Sequence, residues 1–257
     1  MTLEIDLTDK KGLVVGIANS NSIAYGCAVS FNRAGAGLAL TYQNDKTEGT
    51  VRFLGEKLGA SLILPLDVQR DDQLEAVFHA IEQQWGRLDF LLHSIAYAPK
   101  VDLHGRVIDS SKEGFAKAMD ISCHSFIRMA RLAEPLMSSG GSLLTVSYMG
   151  GDEVVEHYGI MGPVKAALES ATRYLASELG TKKIRVNALS PGAIPTRAAS
   201  GIAEFDSLLA NAHKKAPLQR IISLEDIGSM AAFLVSDLSQ NITGEIHLID
   251  AGYRMMD

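Results

Sequence analysis

Short apolar runs rich in β-branched residues recur along the chain, separated by longer stretches whose apolar positions fall every three or four residues. Read as strands, the runs cover residues 12–17 (GLVVGI), 38–42, 62–67, 88–94, 142–147, 184–190 and 245–250. Between them the pattern predicts helices over 23–34, 47–58 and 71–85, each stopped by the glycine that follows: Gly35, Gly59 and Gly86. A strand that is apolar throughout must be covered on both faces. Such strands alternating with helices predict an α/β fold, a doubly wound sheet of about seven parallel strands with helices on both faces. No repeat, low-complexity tract or Pro/Ser-rich linker interrupts the pattern, so residues 1–257 read as a single domain. Ligands of such sheets gather beyond the carboxyl ends of the strands, and the residues after each run are the first candidates for function.

Charge narrows the partners. With 24 basic against 30 acidic side chains the formal net charge is −6, and no block of five like charges occurs. Phosphate-backbone and anionic-lipid surfaces need clustered Lys and Arg, so no nucleic acid and no membrane surface is expected. The opening MTLEIDLTDKK is charged throughout, and no segment approaches the roughly 18 apolar residues of a membrane span; the expectation is a cytoplasmic protein. Cys27 and Cys123 are far apart and form no CxxC pair, which fits buried, inert thiols in a reducing compartment.

The first strand exit, Gly16-Ile17-Ala18-Asn19-Ser20-Asn21-Ser22-Ile23-Ala24-Tyr25-Gly26, is a small-residue loop running into a helix. Small residues let backbone approach a pyrophosphate, and a helix N-terminus offers unpaired N–H groups. GxGxxG itself is absent, since Ala18 fills the second glycine slot and Gly26 lies ten residues after Gly16. At the second exit, Gln43 is neutral and can hydrogen-bond a ribose hydroxyl, while no Arg or Lys precedes Lys46 to neutralise a 2′-phosphate; this favours NADH over NADPH. After the third strand, Asp67-Val68 offers a carboxylate and an apolar wall to an adenine ring, although an Asp capping the next helix fits the spacing equally well.

Tyr158 and Lys165 are seven apart, and seven helical residues turn through about 700°, which would return both side chains to one face. A nearby ammonium favours phenolate and would bring the phenol closer to a usable acid or hydrogen-bond donor. On spacing alone the pair says little. The surrounding string, Ser147-Tyr148-Met149-Gly150 through Tyr158-Gly159-Ile160-Met161-Gly162-Pro163-Val164-Lys165, says more. It resembles the enoyl-acyl-carrier-protein reductases, divergent members of the short-chain dehydrogenase/reductase superfamily, which carry Tyr-x6-Lys where most relatives carry Tyr-x3-Lys. Gly162 stands where the ordinary dehydrogenase has its lysine. The resemblance extends over essentially the whole chain, through Ser22 to Gly26, Thr41 to Asp45, His93-Ser94-Ile95-Ala96, and Ala198-Ala199-Ser200-Gly201-Ile202.

What the resemblance implies is a Rossmann-type sheet, a homotetramer, and hydride delivery from NADH or NADPH to the β-carbon of a trans-2-enoyl thioester on acyl carrier protein in fatty acid synthesis. Tyr158 is expected to hydrogen-bond the thioester carbonyl, and Lys165 to hold the nicotinamide ribose. Tyr148 is expected to position the substrate or supply a proton. Gly16, Ser22, Ile23, Gln43, Asp67, Val68 and Ile95 match cofactor-contacting positions, as do Ile194 and Thr196 after the sixth strand; Ala98 matches a substrate-contacting one. Residues 197–211 match a helical flap over the acyl chain, with Ile202, Phe205, Leu208 and Leu209 on one face. Helices over about 113–136 and 159–179 are expected to pack between subunits.

Three residues depart from the family pattern. Ala96 replaces a glycine, Pro195 replaces a residue that is often basic, and Pro163 requires the helix to begin near 159–162 or to kink. The residues alone leave two other readings open: a short-chain dehydrogenase acting on a ketone or alcohol, and a non-catalytic NADH-binding paralogue. No HxxxH or HExxH pairing occurs, so no metal is expected, and GxSxG fails around Ser147, with Thr145 and Met149 in the glycine positions.

Overall fold

The computed structural model describes residues 4–196, 209–210 and 213–256. Seven strands form one sheet: β1 (Lys11–Val15), β2 (Gly37–Tyr42), β3 (Leu62–Pro65), β4 (Phe90–His93), β5 (Gly141–Val146), β6 (Ile184–Pro191) and β7 (Ile246–Ile249). Every pairing is parallel, in the order β3-β2-β1-β4-β5-β6-β7. Chain order reverses between β1 and β4, and a ligand crevice opens at that point in such sheets.

The inner strands are buried on both faces, which is why they read as near-continuous apolar runs, while the edge strands β3 and β7 are only partly buried. Along β1, Leu13 and Val15 join one core cluster while Val14 joins the other; along β4, Leu91 separates Phe90 and Leu92 in the same way. One face is covered by α1 (Ile23–Arg33), α2 (Asp45–Lys57) and the helix Leu224–Val235. The opposite face carries α3 (Asp71–Trp85), with Leu74, Phe78 and Ile81, together with Phe126, Met129 and Leu168 from later helices. Phe31 of α1 and Phe90 of β4 are fully buried with ring centroids 4.8 Å apart, and each contributes about 1.5–3 kcal/mol through burial. Gly26 serves packing: a Cβ there would stand 2.7 Å from the Leu224 Cβ, so α1 and the C-terminal helix touch through a missing side chain.

Beyond β4 come a short α4 (Lys100–Leu103) and then a helical run that differs from the single long helix expected over 113–136. It divides into α5 (Lys112–Met119), a π-helical turn (Asp120–His124) and α6 (Ser125–Ala133). The extra residue in a π turn re-aims its side chains. Ser122 thereby clamps Tyr97, accepting from its N–H at 2.9 Å and donating to its carbonyl at 3.1 Å, and Ile121 lines the ligand crevice. Ser125 donates to the Ile121 carbonyl at 2.6 Å and therefore accepts from His93 Nε2 at 2.8 Å. His93 Nδ1 then accepts from Thr145 at 2.9 Å, and burial keeps the ring neutral, with its pKa pushed down to about 3.

The chain continues through β5 into α7 (Met161–Leu179) and ends with α8 (Leu224–Val235) and β7. Cys27 and Cys123 are buried. Among the described residues no helix is long and apolar enough to cross a membrane, and no group of His, Cys, Asp and Glu is placed to hold a metal.

Candidate active site

A crevice of about 600 Å³ opens at the carboxyl ends of β1 to β4. Gly16, Ser22, Ile23, Gln43, Asp67, Val68, Ile95 and Thr196 all line it, bringing residues from five segments together. Parallel register explains the convergence: Val15 pairs with His93, so Gly16 and Ser94 leave the sheet side by side. At Gly16 the φ of +110° and the closeness of the Ser94 carbonyl leave no room for a side chain.

The β1–α1 loop folds around Ser22, whose Oγ accepts from the N–H of Ala18 at 3.0 Å and of Asn19 at 3.1 Å. Turned toward the loop, this hydroxyl makes no capping bond to α1, and the first turn of α1 holds no acid. An uncapped helix N-terminus facing a crevice suits an anion. At β3's exit, Asp67 Oδ1 accepts from the Gln69 N–H at 3.0 Å. The N-cap of α3 is Arg70, so Asp67 does not cap that helix, and its carboxylate is left on the crevice wall. Arg128 fixes the neighbouring Val68 through its carbonyl at 2.9 Å.

Ile194 is placed differently from its neighbours: its side chain is buried in the core, while Thr196 reaches the crevice. The residues 197–208 and 211 of the expected flap, including Ile202, Phe205 and Leu208, lie outside the described residues; Leu209 and Ala210 are helical.

Ala98, two residues beyond Ala96 of the crevice, belongs to a second cluster in which it packs with Tyr148 and Phe115 against Tyr158, Ile160, Met161 and Val164. The Tyr148 and Tyr158 rings lie 4.9 Å apart at 56°. Tyr158 is not on the helix that carries Lys165, which corrects the shared-face expectation. It sits in a turn, donating its N–H to the Val155 carbonyl at 3.3 Å and accepting from Met161 N–H at 3.2 Å. Left-handed backbone at His157 and Gly159, with φ of +61° and +51°, forms that turn. The helix begins at Met161, so Pro163 falls in its first turn, where no N–H is needed, and causes no kink.

Lys165 is buried, and its Nζ donates to the Val146 carbonyl at 2.6 Å. Burial pushes its pKa down to about 8, opposed by the nearby Cys123 and Glu169. Tyr158 is moved the opposite way from the expected shift toward phenolate. Burial, with Tyr148 and Glu169 beside it, raises its pKa well above the ordinary phenol value. Burial likewise pushes Tyr148 up to about 12. The pair are therefore neutral O–H donors at physiological pH, which is the state needed to donate to a carbonyl oxygen.

Sequence reasoning missed Glu169. This acid is buried, and it accepts the Ser147 hydroxyl at 2.6 Å. Its position four residues after Lys165, on the same helical face, was the available signal.

A family model described as Enoyl-(Acyl carrier protein) reductase matches residues 16–254. The chain is 46% identical to Enoyl-[acyl-carrier-protein] reductase [NADH] 1 of Rhizobium meliloti (strain 1021), covering 96% of this chain and 91% of that protein. It is also 46% identical to the NADH enoyl-acyl-carrier-protein reductase of Nostoc sp. (strain PCC 7120 / SAG 25.82 / UTEX 2576), over 98% and 99% of the two chains. The chain belongs to the enoyl-acyl-carrier-protein reductase family. Solved reductases superpose closely. The Anaplasma phagocytophilum enzyme in complex with NAD gives a TM-score of 0.94 at 43% identity, covering 97% of this chain and 95% of that one. The Bacillus cereus enzyme with NADP+ and indole naphthyridinone gives 0.96 at 43%, over 98% of both. In this reductase Tyr158 lies in the turn before the helix and Lys165 is the fifth residue of the helix, so the Tyr-x6-Lys spacing does not put the two on one helix.

Proposed function

We propose that the chain is an NADH-dependent enoyl-acyl-carrier-protein reductase of fatty acid synthesis, with residues 1–257 acting as one domain. The observation that carries this reading is a dinucleotide-sized crevice at the strand exits, together with a half-buried Tyr148 whose ring lies 4.9 Å from that of the buried Tyr158 and a buried Lys165 on the helix that follows. The crevice fits the cofactor: Gly16, Ser22 and Ile23 present an uncapped helix N-terminus to a pyrophosphate, Gln43 faces the adenosine ribose, and Asp67 and Val68 meet the adenine. Ile95 and Thr196 would hold the nicotinamide end, with Ile194 packed in the core behind them, and Lys165 would take its ribose hydroxyls. Bound NADH supplies the hydride that adds to the β-carbon of a trans-2-enoyl thioester.

Tyr158 donates its O–H to the thioester carbonyl and stabilises the negative charge that grows on that oxygen, the kind of interaction that usually contributes most to catalysis. Lys165 keeps a positive charge nearby. Tyr148 positions the thioester or supplies the proton that completes the saturated chain, and Ala98 contacts the acyl group. Acyl carrier protein presents the substrate, four copies of the chain assemble through α5, α6 and α7, and the enzyme works in the cytoplasm.

Mixing the protein with NADH and crotonyl or a longer trans-2-enoyl thioester tests the reading. Near-ultraviolet absorbance is expected to fall, and to fall faster with NADH than with NADPH. Folded protein that binds NADH but oxidises neither nucleotide would instead be a non-catalytic paralogue. Oxidation of simple alcohols with enoyl thioesters inert would make it an alcohol or ketone dehydrogenase.

A further inference from the structure

The roles assigned above leave the buried acid of α7 unused. Glu169 is only 8% exposed, and a carboxylate taken out of water is costly unless it is paired or hydrogen-bonded. It leaves α7 on the same face as Lys165, one turn further on. Its Oε1 accepts the Ser147 hydroxyl at 2.6 Å, the short distance of a charge-assisted bond. Ser147 is itself fixed, since its N–H donates to the Leu189 carbonyl at 2.7 Å, and the next residue is Tyr148. The β5–α7 connection closes tightly over the acid: a Cβ on Gly151 would stand 2.9 Å from the same Oε1. One carboxylate thus ties together the strand exit that presents Tyr148 and the helix that presents Lys165.

We propose that Glu169 is a positioning residue of the reduction, a buried carboxylate that orients the Tyr148 strand exit through Ser147 and supplies the counter-charge to Lys165. The inference rests on the reductase reading. Its electrostatic consequence has two parts. Burial alone drives Lys165 toward the neutral amine, and Glu169 opposes that. The same negative charge disfavours phenolate at Tyr158. Both effects preserve the protonated forms, an ammonium for the ribose and an O–H for the carbonyl. The other groups facing Lys165 are Cys123 of the π-helical turn and His93 of β4; the imidazole is neutral and the thiol's pKa is raised by burial, so Glu169 is the counter-charge at neutral pH.

The test compares wild type with Glu169→Gln and Ser147→Ala across the neutral to alkaline range. It reads kcat/KM for enoyl-thioester reduction and, separately, the dissociation constant of NADH from its fluorescence. Wild type should lose both activity and NADH affinity as pH rises through about 8, where Lys165 gives up its proton. Glutamine keeps an acceptor for Ser147 but removes the charge, so the Lys165 pKa falls and both alkaline limbs move down by about one pH unit. Ser147→Ala keeps the charge, leaves the limbs in place, and lowers kcat by loosening Tyr148. A Glu169→Gln rate reduced by one factor at every pH, with unmoved limbs, would show a purely structural residue and overturn the proposal; an unchanged profile would do the same. Should Glu169→Gln fail to fold, Glu169→Asp withdraws the charge by one methylene and must still lower the limbs, by a smaller step. Wild type that binds NADH without reducing enoyl thioesters would contradict the reductase reading, and the NADH-affinity profile would still decide the role of Glu169.

Discussion

Tyr158→Phe lowers turnover of a trans-2-enoyl thioester by about 100-fold, equivalent to about 2.7 kcal/mol of barrier. The substitution removes the O–H proposed to donate to the carbonyl oxygen while keeping the ring that packs on Tyr148, Met161 and Val164. Thermal stability and NADH affinity should therefore stay near wild type while kcat falls. Lys165→Met lowers turnover by a similar factor, but its signature differs. It also strips the Val146 carbonyl of its donor and leaves Glu169 without a counter-charge, so Tm and NADH affinity fall together with rate. Steady-state kinetics beside thermal melts separate the two. A loss below about ten-fold for both variants would contradict the assigned roles.

Gly16→Ala is the second large effect, and it acts on the cofactor crevice. An added Cβ would stand 2.0 Å from the Ser94 carbonyl oxygen, a backbone atom that cannot rotate away. The φ of +110° adds backbone strain of about 1–3 kcal/mol for any residue with a side chain. Relief requires the β1–α1 loop to move off the β4 exit, which carries the uncapped end of α1 away from the pyrophosphate position. NADH affinity is expected to drop by at least about ten-fold, with a lower Tm, measured by fluorescence titration and thermal melting. An alanine variant with wild-type affinity would show that the loop does not hold the cofactor.

How far the chain can be read without its structure depends on whether a feature is local. The inner strands were legible because burial on both faces makes them near-continuous apolar runs, and α3 was found to the residue, with Gly86 stopping it in a left-handed C-cap. The crevice residues were legible as strand exits, since parallel register alone brings them side by side. What was not legible involves backbone that departs from a regular period. The turn at Tyr158 depends on left-handed residues at His157 and Gly159, and a non-glycine at positive φ leaves little trace in sequence. The π-helical turn inserts one residue into an otherwise uniform helical pattern, yet it sets Ser122 against Tyr97 of the crevice wall and Cys123 near Lys165. Glu169 escaped because an acid on a mostly apolar helix reads as a solvated position until Ser147 is seen to meet it. The direction of the Tyr158 shift was misread for the same reason: spacing shows a lysine nearby, whereas burial, which dominates, belongs to the folded chain.

The most direct test of the account is to follow the hydride itself, using NADH deuterated at the transferable position and a trans-2-enoyl thioester, with the product examined by NMR and mass spectrometry. The account predicts a saturated thioester carrying one deuterium on the β-carbon. Deuterium on the carbonyl carbon, or an alcohol product with the double bond intact, would contradict it.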